Sequence, residues 1–149
     1  MSEKLTEQVE EAWVNLFRAS QHIHCAIERA LKGKGFPGLD WYDVLRELKR
    51  VAPADLRPFE LQEKLLVKQY NLSRLLARMV AVGVLEKRVC PEDGRGYGFF
   101  ITDDGIEQQQ AMWPIYQSVL VSEFASKIAP DDADALAATL RKMTPKVGE

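Results

Sequence analysis

Three groups of side chains in this 149-residue chain have the types and spacing to do chemistry. The first is His22-Ile23-His24-Cys25, the one cluster with metal-ligand atoms. On a helix His22 and Cys25, three apart, share a face, and His24 points elsewhere. Zinc takes four protein ligands, or three and a water, and the chain has only two histidines. Polar positions on a helix interface explain the cluster better, and no metal or other cofactor is expected. The second group is the two cysteines, Cys25 and Cys90. They lie far apart without CxxC spacing, as in a reduced cytoplasmic protein. Cys90 follows Lys87 and Arg88, cations that favour a thiolate. A cysteine-based redox sensor therefore stands as an alternative to two small, partly buried thiols.

The third group is richer. From Tyr70 to Val82 the sequence has helical periodicity, and at 100° per residue Leu72, Leu75, Leu76 and Met79 fall on one face. Tyr70, Arg74, Ala77 and Ala81 fall on the other, flanked by Asn71, Ser73 and Arg78. Hydrogen-bonding side chains near the N-terminus and small alanines beyond suit a helix lying in a major groove, where the first turns meet base edges. Lys68 precedes it as a further cation. A plain surface helix would more often carry Glu/Lys pairs, yet no acid occurs between Glu63 and Glu86. Further on, Arg95 lies between Gly94 and Gly96, so the backbone there can approach a duplex closely. A guanidinium at such a tip suits the narrow minor groove. Asp93 is placed to pair with an arginine at the base of the same loop and hold it. The plain alternative is a hairpin turn with a surface ion pair.

Charge is distributed to match. The net charge is −2, but residues 57–98 carry eight basic and five acidic side chains, +3 against −5 for the rest. A basic patch on an acidic protein is a phosphate footprint. Enzyme chemistry finds no support: there is no phosphate-binding glycine loop, no HExxH and no GxSxG, and the carboxylates have surface-helix spacing. No apolar run nears the roughly 18 residues needed to cross a bilayer. The polar, acidic N-terminus does not read as a secretory signal. A cytoplasmic protein without membrane contact is expected.

These side chains need a scaffold. Steps of three and four among Leu5, Val9, Ala12, Trp13, Leu16, Phe17, Ile23, Ile27, Ala30 and Leu31 predict a long helix over residues 4–32. Gly33 to Gly38 end it. Asp40 is the expected N-cap of a second helix reaching about Arg50, and Pro58 starts a third to about Leu65. Tyr70–Val82 is the fourth, closed by Gly83. Residues 84–89 and 97–102 predict a β-hairpin with a turn-rich tip. Thr102 or Asp103 caps a fifth helix to about Lys127, which Pro114 should kink. Pro130 opens a last helix to about Met143. The order α-α-α-α-β-β-α-α is mainly α with a small β-hairpin: a winged helix-turn-helix between flanking helices.

With these pieces in order, residues from about Leu39 to Met112 resemble the MarR family of transcriptional regulators. Ser73-Arg74-Leu75-Leu76-Ala77-Arg78-Met79 with Gly83-Val84-Leu85-Glu86-Lys87-Arg88 is similar to its recognition-helix-to-strand pattern. Asp93-Gly94-Arg95 matches its D-x-R wing motif, and Ile101-Thr102-Asp103-Asp104-Gly105 its L-T-x-x-G opening of the long dimerisation helix. Pro114 inside that helix, and a turn at Leu65–Tyr70 bulkier than the family's small polar one, depart from the pattern. The resemblance implies one domain over residues 1–149, with a winged lobe at about 39–102 and dimerisation helices at about 4–32 and 103–143. It implies a homodimer on a pseudo-palindromic double-stranded operator, often a repressor relieved by a small molecule. It also implies an effector pocket between dimer helices and lobe, for which Trp13, Phe17, His24, Trp41 and Tyr42 offer aromatic walls suited to a small aromatic or amphipathic ligand. Those aromatics serve equally as plain core. A winged-helix protein–protein interaction module without DNA binding is the alternative from another class, since fold does not fix function.

Overall fold

The computed structural model describes residues 4–89 and 96–145. Six α-helices run in the order α1 (Glu7–Gly33), α2 (Leu39–Val51), α3 (Pro58–Lys64), α4 (Leu72–Ala81), α5 (Asp103–Glu123) and α6 (Pro130–Arg141), with strands β1 (Leu85–Val89) and β2 (Tyr97–Ile101) between α4 and α5. The strands pair antiparallel, Leu85 opposite Ile101 and Val89 opposite Tyr97.

The core lies where the C-terminal half of α1, α2, α4, the hairpin and the start of α5 meet. Ile27, Leu31, Leu45, Leu48, Leu61, Leu75, Leu76, Met79, Leu85, Phe99 and Met112 are buried there. The N-terminal half of α1 is different. Val9, Trp13 and Phe17, each four residues apart and hence on one stripe, and Leu5 just before the helix are 50–68% exposed.

Several boundaries differ from the sequence reading. Asp40 is not the N-cap of α2: Gly38 occupies that position, and the Asp40 carboxylate accepts the neighbouring Trp41 N–H at 2.8 Å. Glu28 of α1 supplies the capping oxygen in its place by accepting the Leu39 N–H. A Cβ at Gly38 would have to displace that carboxylate. Tyr70 and Asn71 lie outside α4, with Asn71 as its N-cap. A local side chain satisfying a free helix N–H outweighs helical periodicity at that end. Helix α5 runs on through Pro114 but stops at Glu123, and a single 3-10 turn, Ala125–Lys127, follows. Leu56 makes a short bridge with Phe99 on the outer side of β2, through hydrogen bonds of 2.9 and 3.1 Å.

Candidate nucleic-acid interface

Helices α3 and α4 and the turn between them are locked by side chains. The carboxylate of buried Asp43 on α2 accepts the Val67 N–H at 3.0 Å. The Gln62 amide donates to the Gln69 carbonyl at 2.9 Å, and Lys68 Nζ donates to the Gln62 carbonyl at 2.6 Å and to that of Glu63 at 3.4 Å. Lys68 thus places its ammonium on the carbonyl end of α3, where the helix dipole favours it. Only part of its hydrogen-bonding capacity remains for a phosphate. The bulky turn has a plain cause: Leu65 plugs the core, 4% exposed.

Helix α4 buries Leu75, Leu76 and Met79 and exposes Ser73, Arg74, Ala77, Arg78 and Ala81. Asn71 Oδ1 accepts the Arg74 N–H at 3.1 Å, so this amide works first as a cap. Tyr70 stands fully free of its neighbours at the head of the helix. The free edge of α4 divides two clefts. On the wing side Ser73, Ala77 and Val80 face Lys87, Tyr97 and Phe99 across about 220 Å³. On the α1 side Asn71, Arg74 and Arg78 face His24, Glu28 and Asp40 across about 430 Å³.

The wing's cations near its base are engaged. Arg88 makes a two-pronged ion pair with Glu86, 2.8 and 2.9 Å, which lowers the Glu86 carboxyl and raises the Arg88 guanidinium. Its guanidinium also covers the Phe100 ring at 4.5 Å, and Lys87 Nζ sits 4.0 Å over Tyr97. The expectations for Cys90, Asp93 and Arg95 fall outside the described residues.

Residues 34–96 match the model of the MarR family. The match covers less than half of the chain, and solved structures extend the likeness of fold to nearly all of it. AbsC, a MarR family transcriptional regulator from Streptomyces coelicolor, is similar with a TM-score of 0.84 and 21% identity, over 95% of each chain. A second MarR family regulator from that organism, solved in complex with DNA, gives 0.86 and 22%, over 96% of this chain and 89% of that one. An organohalide-sensing transcriptional regulator in its 2,4-dichlorophenol-bound form gives 0.75 and 20%, over 93% and 80%. No curated protein matches.

The T-x-x-G sequence from Thr102 to Gly105 has a physical reason in this chain. Thr102 Oγ1 accepts the Gly105 N–H at 3.1 Å and donates to the Gly83 carbonyl at 2.6 Å. The Thr102 N–H donates to the Val84 carbonyl, whose oxygen would lie 2.2 Å from a Cβ at position 105. One threonine and one glycine therefore weld the root of the wing to the start of α5.

The five aromatic and histidine positions expected to wall an effector pocket are spread over the described residues. Trp13 and Phe17 touch each other, centroids 5.7 Å apart, on the exposed stripe of α1. His24 faces the α4 cleft. Trp41 donates its indole N–H to Gln108 at 3.2 Å. Tyr42 is buried, stacked on Tyr116 at 4.8 Å. The i, i+4 spacing places Trp13 and Phe17 together but two turns and more from His24. His22 goes to α5 instead, 3.0 Å from Glu123, and holds that carboxyl below its usual range, with Lys127 assisting. Among the described residues no His, Cys, Asp and Glu group is arranged to hold a metal ion, and no helix is long and apolar enough to cross a membrane. Cys25 is an exposed thiol.

Sequence reasoning missed Asp43, Glu28 and Gln109. Asp43 carried a signal: it interrupts the apolar run of α2 at a position facing the core, where a carboxylate must have a partner.

Proposed function

We propose that this chain is a sequence-specific double-stranded DNA-binding transcriptional regulator that acts in the cytoplasm as a homodimer, repressing from a pseudo-palindromic operator. The observation that carries this reading is the free edge of α4, where Ser73, Arg74, Ala77 and Arg78 are exposed on a helix whose preceding turn is clamped by Asp43 and Lys68. A helix used to read bases must be rigid and present short or fork-shaped donors. In this reading Tyr70, Ser73, Arg74 and Arg78 meet the major groove, Lys68 offers its spare donor to a phosphate and Asn71 holds the helix. Arg95, steadied by Asp93, enters the minor groove. The related regulator solved with DNA supports the first part.

The chain forms one domain, a winged lobe at about 39–102 carried by helices at about 4–32 and 103–143 that bury the α1 stripe against a second copy. A small aromatic or amphipathic ligand lowers operator affinity by favouring lobes set at another separation. The 2,4-dichlorophenol-bound relative supports this element.

The test is selection of bound sequences from a random duplex pool, followed by titration at several salt concentrations. Enrichment of an inverted repeat with half-sites about one turn apart, with affinity falling steeply in salt, is expected. Salt-independent or absent binding would instead identify an interaction module.

A further inference from the structure

The free edge of α4 consists of two rows. Ser73, Ala77 and Ala81 recur every four residues, are exposed and carry nothing longer than a hydroxyl. Arg74 and Arg78, also four apart and exposed, form the second row. Ser73 and Ala77 border the wing-side cleft, opposite Lys87 and Tyr97. The arginines border the α1-side cleft, opposite His24, Glu28 and Asp40. The short row lets the helix sink towards a groove floor, and the arginines then reach that floor from one side.

The charges around the arginines select what they can touch. Glu28 accepts the Leu39 N–H and pairs with Lys32 at 3.2 Å. Asp40 accepts the Trp41 N–H at 2.8 Å. Lys68 lines the same cleft but holds its ammonium on the Gln62 and Glu63 carbonyls. Among the described residues no carboxylate pairs with Arg74 or Arg78, so both guanidinium forks are open. The carboxylates of Glu28 and Asp40 weigh against a phosphate drawn into this cleft. A guanine edge carries no charge, and its O6 and N7 are the acceptor pair that a guanidinium fork fits.

The wing side has the opposite chemistry. Lys87 Nζ lies over the Tyr97 ring at 4.0 Å, and Ala77 presents a bare methyl. In the major groove the apolar group that such a methyl meets is the 5-methyl of thymine. Spacing follows from the helix: four residues at about 1.5 Å each span about 6 Å, less than two base steps of about 3.4 Å.

We infer, resting on the DNA-binding reading of this edge, that Arg74 and Arg78 each read a guanine and that Ala77 meets a thymine methyl. Each half-site then holds two guanines at most two base pairs apart, with a thymine adjoining the guanine read by Arg78.

Random-pool duplex selection on the full-length parent, Arg74→Lys and Arg78→Lys is the first test. Lysine keeps the charge and the helix propensity but has no fork. The parent should enrich the guanine pair. Each lysine variant should lose the guanine preference at one position, a different one for each, with random-duplex affinity, salt slope and melting temperature unchanged. On the enriched duplex, 7-deazaguanine removes N7 and keeps the base pairing. At either guanine it should weaken the parent about tenfold, the loss of one charged hydrogen bond, and should leave the lysine variant of that position nearly unaffected. Uracil in place of the thymine removes one methyl. It should weaken the parent about fourfold and leave Ala77→Gly unaffected. Guanines further apart, lysine variants that enrich the parent motif unchanged, or indifference to 7-deazaguanine would overturn the guanine assignment alone. Equal affinity for the uracil and thymine duplexes would overturn the Ala77 contact. No duplex binding by the parent would overturn the DNA-binding reading and the base assignment with it.

Discussion

Asp43 Oδ2 accepts the Val67 N–H at 3.0 Å while its other oxygen, Oδ1, is buried with no partner. One carboxylate of α2 therefore anchors the helix-turn-helix turn at the cost of half its own hydrogen bonding. Burial, partly offset by the Val67 and Leu66 amides, pushes its pKa up to about 6.

That shift fixes a sign. The folded pKa lies above the carboxyl's ordinary value of 3.8, so the native state binds the extra proton. The charged form burdens the fold above pH 6, and the burden is relieved as pH falls from 6 towards 3.8. At 1.36 kcal/mol per unit the burden is about 3 kcal/mol at most. Asp43→Asn keeps an acceptor for Val67 but buries an amide N–H in place of Oδ1, which costs about 1–3 kcal/mol. The variant should be more stable by about 1 kcal/mol at pH 7.5, an advantage that vanishes or reverses at pH 4.5. Urea unfolding at both values decides; a gain that grows on acidification would contradict the assignment.

Glycines at two places should respond oppositely to alanine. At Gly105 the new methyl would meet the Val84 carbonyl, backbone on a strand root that cannot yield. A loss of about 2–3 kcal/mol is expected, the scale of overpacking. At Gly33, the last residue of α1, nothing lies within 4 Å and φ is not positive. Alanine there should add up to about 1 kcal/mol through helix propensity. Thermal unfolding of the two variants side by side tests the reason for the T-x-x-G motif.

Asn71 separates capping from base reading. As the cap of α4 it should cost about 1 kcal/mol of stability on change to alanine. Serine also caps, so Asn71→Ser should keep the melting temperature. If Asn71 only caps, operator affinity stays as well. Affinity lost at unchanged stability would make Asn71 a base-reading residue.

The order of elements and the hairpin were legible because periodicity and turn residues are local signals. Thr102 as cap and the exposed face of α4 were legible for the same reason. The Asn71 cap, the Glu28 cap of α2 and the Asp43 clamp were not. Each joins residues through a hydrogen bond whose geometry outvotes the periodic pattern, and two of them reach across 11 and 24 positions. Trp13 and Phe17, at i and i+4 on one helix, were legible as sharing a face, and that spacing says nothing about what covers the face.

Arg74 is the sharpest test of the interface. It is exposed at the third position of α4. If its fork reads a base, Arg74→Ala should cost about 1–3 kcal/mol on the selected operator and much less on random duplex. A purely phosphate contact would weaken both equally and reduce the salt slope by about 1. Filter binding on the two duplexes across a salt series distinguishes them, and indifference of both would move the reading face off α4.

The α1 stripe yields the prediction on assembly. Leu5, Val9, Trp13 and Phe17 are at least half exposed, and Trp13 packs on Phe17 rather than on the core. An exposed apolar stripe of that size marks an interface. Trp13→Glu therefore removes little from the isolated fold but places a charge in the buried seam of the proposed dimer, where an unpaired charge is costly. The parent protein should sediment as a dimer at micromolar concentration, with a melting temperature that rises with concentration. Trp13→Glu should sediment as a monomer, melt independently of concentration and keep its helical circular dichroism. Operator affinity should fall steeply, because a monomer engages a single half-site. A parent chain that is monomeric at this concentration, or a variant that remains a dimer, would remove the stripe from the interface.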